Sequence, residues 1–129
     1  MAETVSKVRL GSKECSEALT AVGDALYVIG GKWKLRIIIA LSEGFCRFNE
    51  LQRRVTGISA RVLSNELKDL ELNGFVVRTV QATSPVIVEY KLTDYSDTLS
   101  DVLGALRAWG SMHRATIKSR MKEATQATS

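Results

Sequence analysis

Histidine, proline and cysteine are scarce in this sequence: 129 residues include one His, one Pro and two Cys. A catalytic triad or general base built on histidine has only His113, which stands beside a basic tail as a surface or interface residue would. Cys15, Cys46 and one histidine form no zinc-ligand pattern. Two cysteines make no disulfide framework, so a reducing cytoplasm is the expected compartment. No apolar run approaches the roughly 20 residues that cross a bilayer. The longest, Ile37 to Leu41, lies between Arg36 and Ser42. The polar start Met1-Ala2-Glu3-Thr4 lacks the apolar stretch of a signal peptide. Gly30-Gly31 precedes a helix, but no G-x-G-x-x-G or Walker sequence follows to cradle phosphates. No catalytic residue, metal, cofactor or membrane contact is therefore expected.

What is present is an ordinary globular composition, 45% hydrophobic, in a length suited to one domain. The net charge of +4 is unevenly placed. Between Lys32 and Arg78 there are nine basic and five acidic residues, while the remainder of the chain is neutral. Scattered surface charge explains such an excess unless its residues fall on one structural unit.

Residues 1–13 are polar and aperiodic, as in a flexible arm. From Ser16, Leu19, Val22, Leu26 and Ile29 recur at helical spacing, and Gly30-Gly31 ends the run. Trp33, Ile37, Ile38 and Leu41 mark a second helix, and Phe48, Leu51 and Val55 a short third one closed by Gly57. Ser59 is an N-cap candidate for a fourth helix, through Val62, Leu63, Leu67 and Leu70 to the stop signal Asn73-Gly74. The period then falls to two. Phe75–Val80 and Val86–Leu92 are rich in β-branched residues and flank the turn Ala82-Thr83-Ser84-Pro85, which predicts a hairpin. Thr93 is placed to cap a last long helix with Leu99, Val102, Leu103, Leu106 and Trp109 on its apolar face. The basic stretch Arg114 to Lys122 is expected to fray. The fold class is mainly α with a small β-hairpin (α+β).

Helix, short turn, helix and hairpin, in that order, form the layout of a winged helix-turn-helix. The second helix of the pair would enter the major groove of double-stranded DNA with its N-terminal residues near base edges. Those residues are Ser59, Ala60, Arg61, Ser64 and Asn65; small residues permit close approach, Arg suits guanine and Asn suits adenine. Arg47, Arg53, Arg54 and Lys68 are placed to neutralise phosphates, and Asn49 and Arg78 join them as DNA-contact candidates. Each of these side chains alone is ordinary solvated surface, and the hairpin alone a structural ribbon. The tip Thr83-Ser84-Pro85 holds no Lys or Arg with which to enter a minor groove.

Ile29-Gly30-Gly31-Lys32-Trp33-Lys34-Leu35 resembles the opening motif of the HxlR-type transcription regulators. Arg47-Phe48-Asn49-Glu50-Leu51, Gly57-Ile58-Ser59, Arg61-Val62-Leu63-Ser64 and Leu67-Lys68-Asp69-Leu70-Glu71 continue the likeness. So do Gly74-Phe75-Val76, Val88-Glu89-Tyr90-Lys91-Leu92-Thr93 and Trp109-Gly110. The resemblance implies a MarR-like winged-helix homodimer on inverted-repeat operator DNA, commonly a repressor and sometimes an activator, with dimer contacts on the first and last helices. Leu19, Val22 and Leu26 with Leu99, Val102, Leu106 and Trp109 supply the apolar surface, unless they pack on the monomer core. The organisation so implied is a flexible arm over 1–13, a domain over 14–122 and a flexible tail over 123–129. Within the domain lie a helix-turn-helix near 47–73, a wing near 75–92 and a dimer helix near 94–120. Some members sense oxidants through a cysteine shortly before Gly-Gly-Lys-Trp. Here Thr20 holds that position and Cys15 lies five residues earlier. Cys15 is nonetheless a redox candidate, preceding the first helix with Lys13 beside it and Glu14 and Glu17 opposing, while Ser96 stands where many relatives have glycine. Two alternatives stay open: a protein-interaction adaptor without DNA, and a sensor answering a small-molecule or redox signal.

Overall fold

A computed structural model describes residues 9–127. Four helices come first: α1 (Ser12–Ile29), α2 (Lys34–Ser42), α3 (Phe48–Arg54) and α4 (Ala60–Leu72). The hairpin of β1 (Val76–Gln81) and β2 (Ile87–Leu92) follows, then a 3-10 segment (Asp94–Leu99) and α5 (Ser100–Ala127). The strands pair antiparallel from Val76 opposite Leu92 to Gln81 opposite Ile87.

The core lies between α2, α3, α4 and the root of the hairpin. Ile37, Leu51, Leu63, Leu67 and Leu70 are its fully buried side chains, joined by Val55, Ile58, Phe75, Val76 and Leu99. Each helix reaches it through one face, because residues three and four apart lie side by side on a helix.

Two glycine turns fix the angles. Gly57, at φ +90°, turns the chain from α3 into α4 in a conformation that a side chain resists. Gly74, at φ +82°, ends α4. There Gly74 N–H donates to Glu71 O (3.1 Å) and Phe75 N–H to Leu70 O (3.0 Å), the paired bonds of a Schellman ending. This ending aims Phe75 into the core and starts β1 one residue later. Across the hairpin's base, Thr93 N–H donates to Phe75 O (3.0 Å) and the Thr93 hydroxyl to Gly74 O. Tyr90 N–H donates to Cys46 O (2.8 Å), tying β2 to the segment before α3.

Several expectations need correction. α1 begins at Ser12, so residues 12 and 13, assigned to the arm, are helical; residues 1–8 lie outside the described residues. Cys15 sits within the first turn of α1, its N–H donating to Gly11 O at 2.8 Å. Thr93 precedes the 3-10 segment, and α5 starts only at Ser100. Arg114 to Lys122, expected to fray, is helical: α5 continues through Ala127 and takes in residues 123–127 of the expected tail, while residues 128 and 129 lie outside the described residues. Leu99, expected at the dimer contact, is 7% exposed and belongs to the core. The 3-10 segment turns it inward before α5 leaves the body.

Candidate nucleic-acid interface

α4 divides sharply into two faces. Leu63, Leu67 and Leu70 are buried, while Ala60, Arg61, Asn65 and Lys68 are exposed and Ser64 is half-buried. At the N-terminus the Ser59 hydroxyl accepts a hydrogen bond from Val62 N–H at 3.2 Å, as a cap should. Among the described residues no carboxylate pairs with Arg61, so its guanidinium is free for a ligand.

The inner side of α4 is held by a residue the sequence reading passed over. Lys34 Nζ donates to Glu66 Oε2 at 2.8 Å and lies 3.4 Å from Asp69 Oδ2. The Lys34 and Glu66 side chains are 13% and 20% exposed, and the bridge joins α2 to the middle of α4. Burial disfavours the Lys34 charge, but the hydrogen bond and attraction of Glu66, then Asp69, outweigh it and raise the pKa above its usual value. A signal was available. Lys34, Ile37, Ile38 and Leu41 follow the spacing of one inward face, on which a lysine needs a partner.

α3 and the Arg47 N-cap before it supply cations of two kinds. Arg47 and Arg53 are exposed without an ion pair among the described residues, and Asn49 is exposed beside them. Arg54, expected as a phosphate contact, also carries an ion pair. Its Nε and Nη2 donate to the two Glu43 carboxylate oxygens at 3.0 and 2.8 Å, with the Phe45 ring 6.0 Å away. Arg78 lies on β1 opposite Tyr90. Two further cations were not foreseen. Lys32 and Arg36 lie 4.8 and 5.1 Å from the Trp33 ring, whose edge lies against Gly57 of the turn. Their spacing of four around a tryptophan was the sequence sign.

α1 and α5 present the remaining candidates away from the core. Leu19, Val22 and Leu26 are exposed, Leu19 by 77%, and so are Val102, Leu106 and Trp109. α1 buries only Ile29 and α5 buries no residue, so these stripes do not pack on the monomer core. Cys15 is exposed at the edge of the α1 stripe, its thiol 3.5 Å from Leu10 O, whereas Cys46 is half-buried. Ser96 is buried, its hydroxyl donating to Thr93 O. No three His, Cys, Asp or Glu side chains gather as a metal site among the described residues. No helix among them is long and apolar enough to cross a membrane.

The HxlR-like helix-turn-helix family model matches residues 28–118, from the end of α1 through most of α5. The chain belongs to the HxlR-like helix-turn-helix family. An HTH-type transcriptional regulator of Methanothermobacter thermautotrophicus is 39% identical over 97 residues, covering 75% of this chain and 74% of its own. The solved structure of reduced HypR, described as a redox regulator, superposes with a TM-score of 0.70 at 37% identity, covering 77% of this chain and 98% of its own. A MarR-family regulator from Enterococcus faecalis gives 0.66 at 36% identity, over 89% and 99% of the two chains. This HxlR-like protein is therefore a winged helix-turn-helix transcriptional regulator, a class of DNA-binding proteins and no class of enzyme.

Proposed function

We propose that the chain acts as a homodimeric repressor on an inverted-repeat operator in double-stranded DNA. α4 enters the major groove, with Arg61 and Asn65 reading base edges and Ser59, Ala60 and Ser64 allowing close approach. Arg47, Arg53, Lys68 and Arg78 meet phosphates, and Asn49 faces the same backbone. The reading is carried by the exposed polar face of α4, with an unpaired Arg61, on a helix buried and bridged along its other side. Two-fold protein symmetry matches a two-fold operator. The second copy covers α1 and α5: their exposed leucines, valines and tryptophan form two unpartnered stripes on helices that leave the core. Along α1 this surface is a shallow apolar hollow of about 560 Å³ lined by Leu19, Val22 and Leu26. A small-molecule effector would have to compete with the partner helix for that hollow. The experiment is migration of a labelled upstream DNA fragment with the purified protein, against random DNA of equal length. Preferential retardation of the upstream fragment is expected. Equal migration of both fragments with no complex would leave the adaptor reading in its place.

A further inference from the structure

The hairpin carries its positive charge at the root. Within residues 76–92 the only cations are Arg78 and Lys91, near the paired ends Val76 and Leu92, and the connection from Ala82 to Val86 has none. Side chains alternate along a strand, so Arg78 and its partner Tyr90 share one face, while Lys91 and Glu89 share the other. The Arg78–Tyr90 face meets α4, where Ser64, Lys68 and Glu71 descend one side at spacings of four and three. Together these five side chains and Leu67 line a notch of about 280 Å³. Among the described residues neither Lys68 nor Arg78 has an ion-pair partner, although Glu71 lines the same notch. Two cations and two hydroxyls thus face one carboxylate, next to the exposed face that carries Arg61 and Asn65.

We infer that this notch takes one backbone phosphate of the duplex, where the strand passes from α4 to the hairpin. The inference rests on the DNA-binding reading above. The Arg78 guanidinium and Lys68 ammonium neutralise the phosphate, and the Tyr90 and Ser64 hydroxyls donate to its non-bridging oxygens. Glu71 opposes the same anion and keeps this sequence-blind contact from dominating. The hairpin so contributes at its base what its uncharged tip cannot. Because the contact adjoins the reading face, it fixes the register of α4 along the groove.

The test measures affinity for operator and random duplexes against salt concentration, with Arg78→Ala, Lys68→Ala, Tyr90→Phe and Glu71→Gln. Arg78→Ala and Lys68→Ala should weaken both duplexes alike and reduce the log–log salt slope by about 1 each. Tyr90→Phe keeps the ring and loses one neutral donor, so affinity should fall roughly 2- to 10-fold with the slope unchanged. Glu71→Gln should tighten both duplexes. Notch variants that bind like wild type, while Arg61→Ala still loses operator preference, would refute the notch and leave the DNA reading standing. Wild-type protein that binds neither duplex would remove the reading beneath it. Exchanging chloride for inorganic phosphate at equal ionic strength separates the two sources of phosphate. The proposal expects phosphate to weaken DNA binding by wild type more than by Arg78→Ala. Phosphate bound at the notch, and lost in Arg78→Ala, without any weakening of wild-type DNA binding would assign the notch to the free anion and overturn the proposal.

Discussion

Arg61 and Arg54 are both exposed arginines of the helix-turn-helix, seven residues apart, yet their surroundings assign them different work. Arg61 has no carboxylate partner among the described residues, and Arg54 is held at both ends of its fork by Glu43. Arg61→Ala should cost about 1–3 kcal/mol on the operator and less on random DNA, read by titrating both duplexes. An equal loss on both would mean that α4 is not the reading helix. Arg54→Ala should change affinity less than Arg53→Ala does, since a guanidinium already facing a carboxylate has less charge to offer a phosphate. The exposed pair itself contributes at most about 1 kcal/mol to stability. Cys15 is exposed, but the sensor position indicated by the family likeness is Thr20. Operator binding by reduced Cys15→Ser should match wild type. Release by diamide in wild type, absent in Cys15→Ser, would make Cys15 a sensor.

At the scale of elements, the angle of α4 depends on its cap, its bridge to α2 and its Schellman ending. Ser59→Ala removes the acceptor for Val62 N–H and should destabilise the fold by about 0.5–2 kcal/mol in denaturant titration. Lys34→Met strips charge-assisted hydrogen bonding from Glu66 and leaves that half-buried carboxylate unpaired, for a loss of about 1.5–3 kcal/mol. The pH dependence has a definite sign. The folded pKa of Lys34 lies above its unfolded value, so the bridge is fully stabilising below that unfolded value and fades only as pH rises through the folded one. Wild type and Lys34→Met should therefore differ by a constant amount from pH 6 to 9, and converge only in strongly alkaline solution above the lysine's usual 10.5. Convergence near neutrality would show that another group sets the difference.

For the whole molecule, the proposed assembly rests on α1 and α5. α5 has 28 residues, a length of about 42 Å at helical rise, without one buried side chain. A helix this long and this exposed, with Leu106 and Trp109 on its surface, gains little from the monomer's own core. Leu106→Glu should shift the protein toward monomer in sedimentation at micromolar concentration while leaving the core unaltered, and should weaken operator binding through the lost second half-site. A dimer with several phosphate contacts per subunit makes on the order of 6–10 in all, which predicts a 10³- to 10⁵-fold loss of affinity between 50 and 200 mM salt. A flat salt response would contradict that count.

The sequence by itself determined the order of elements and most of their faces. Ser59 reads as a cap, Asn73-Gly74 as a stop and Phe75–Leu92 as a hairpin because these signals are local: a hydroxyl before a helix, a glycine after it, a change of period. Arg61, Asn65 and Lys68 were legible on the exposed face of α4 for the same reason, since helical spacing alone sets them opposite Leu63, Leu67 and Leu70. The tertiary structure decided what depends on partners distant in the chain. Glu43 takes Arg54 out of the free cations, Glu66 and Asp69 make Lys34 an anchor, and the root of the hairpin brings Arg78 and Tyr90 against Lys68. Leu99 and Leu106 stand seven residues apart in one apolar pattern, yet one is buried and the other exposed. Periodicity shows that a side chain seeks cover; only the path of the chain, here the 3-10 segment before α5, settles whether its own core provides it.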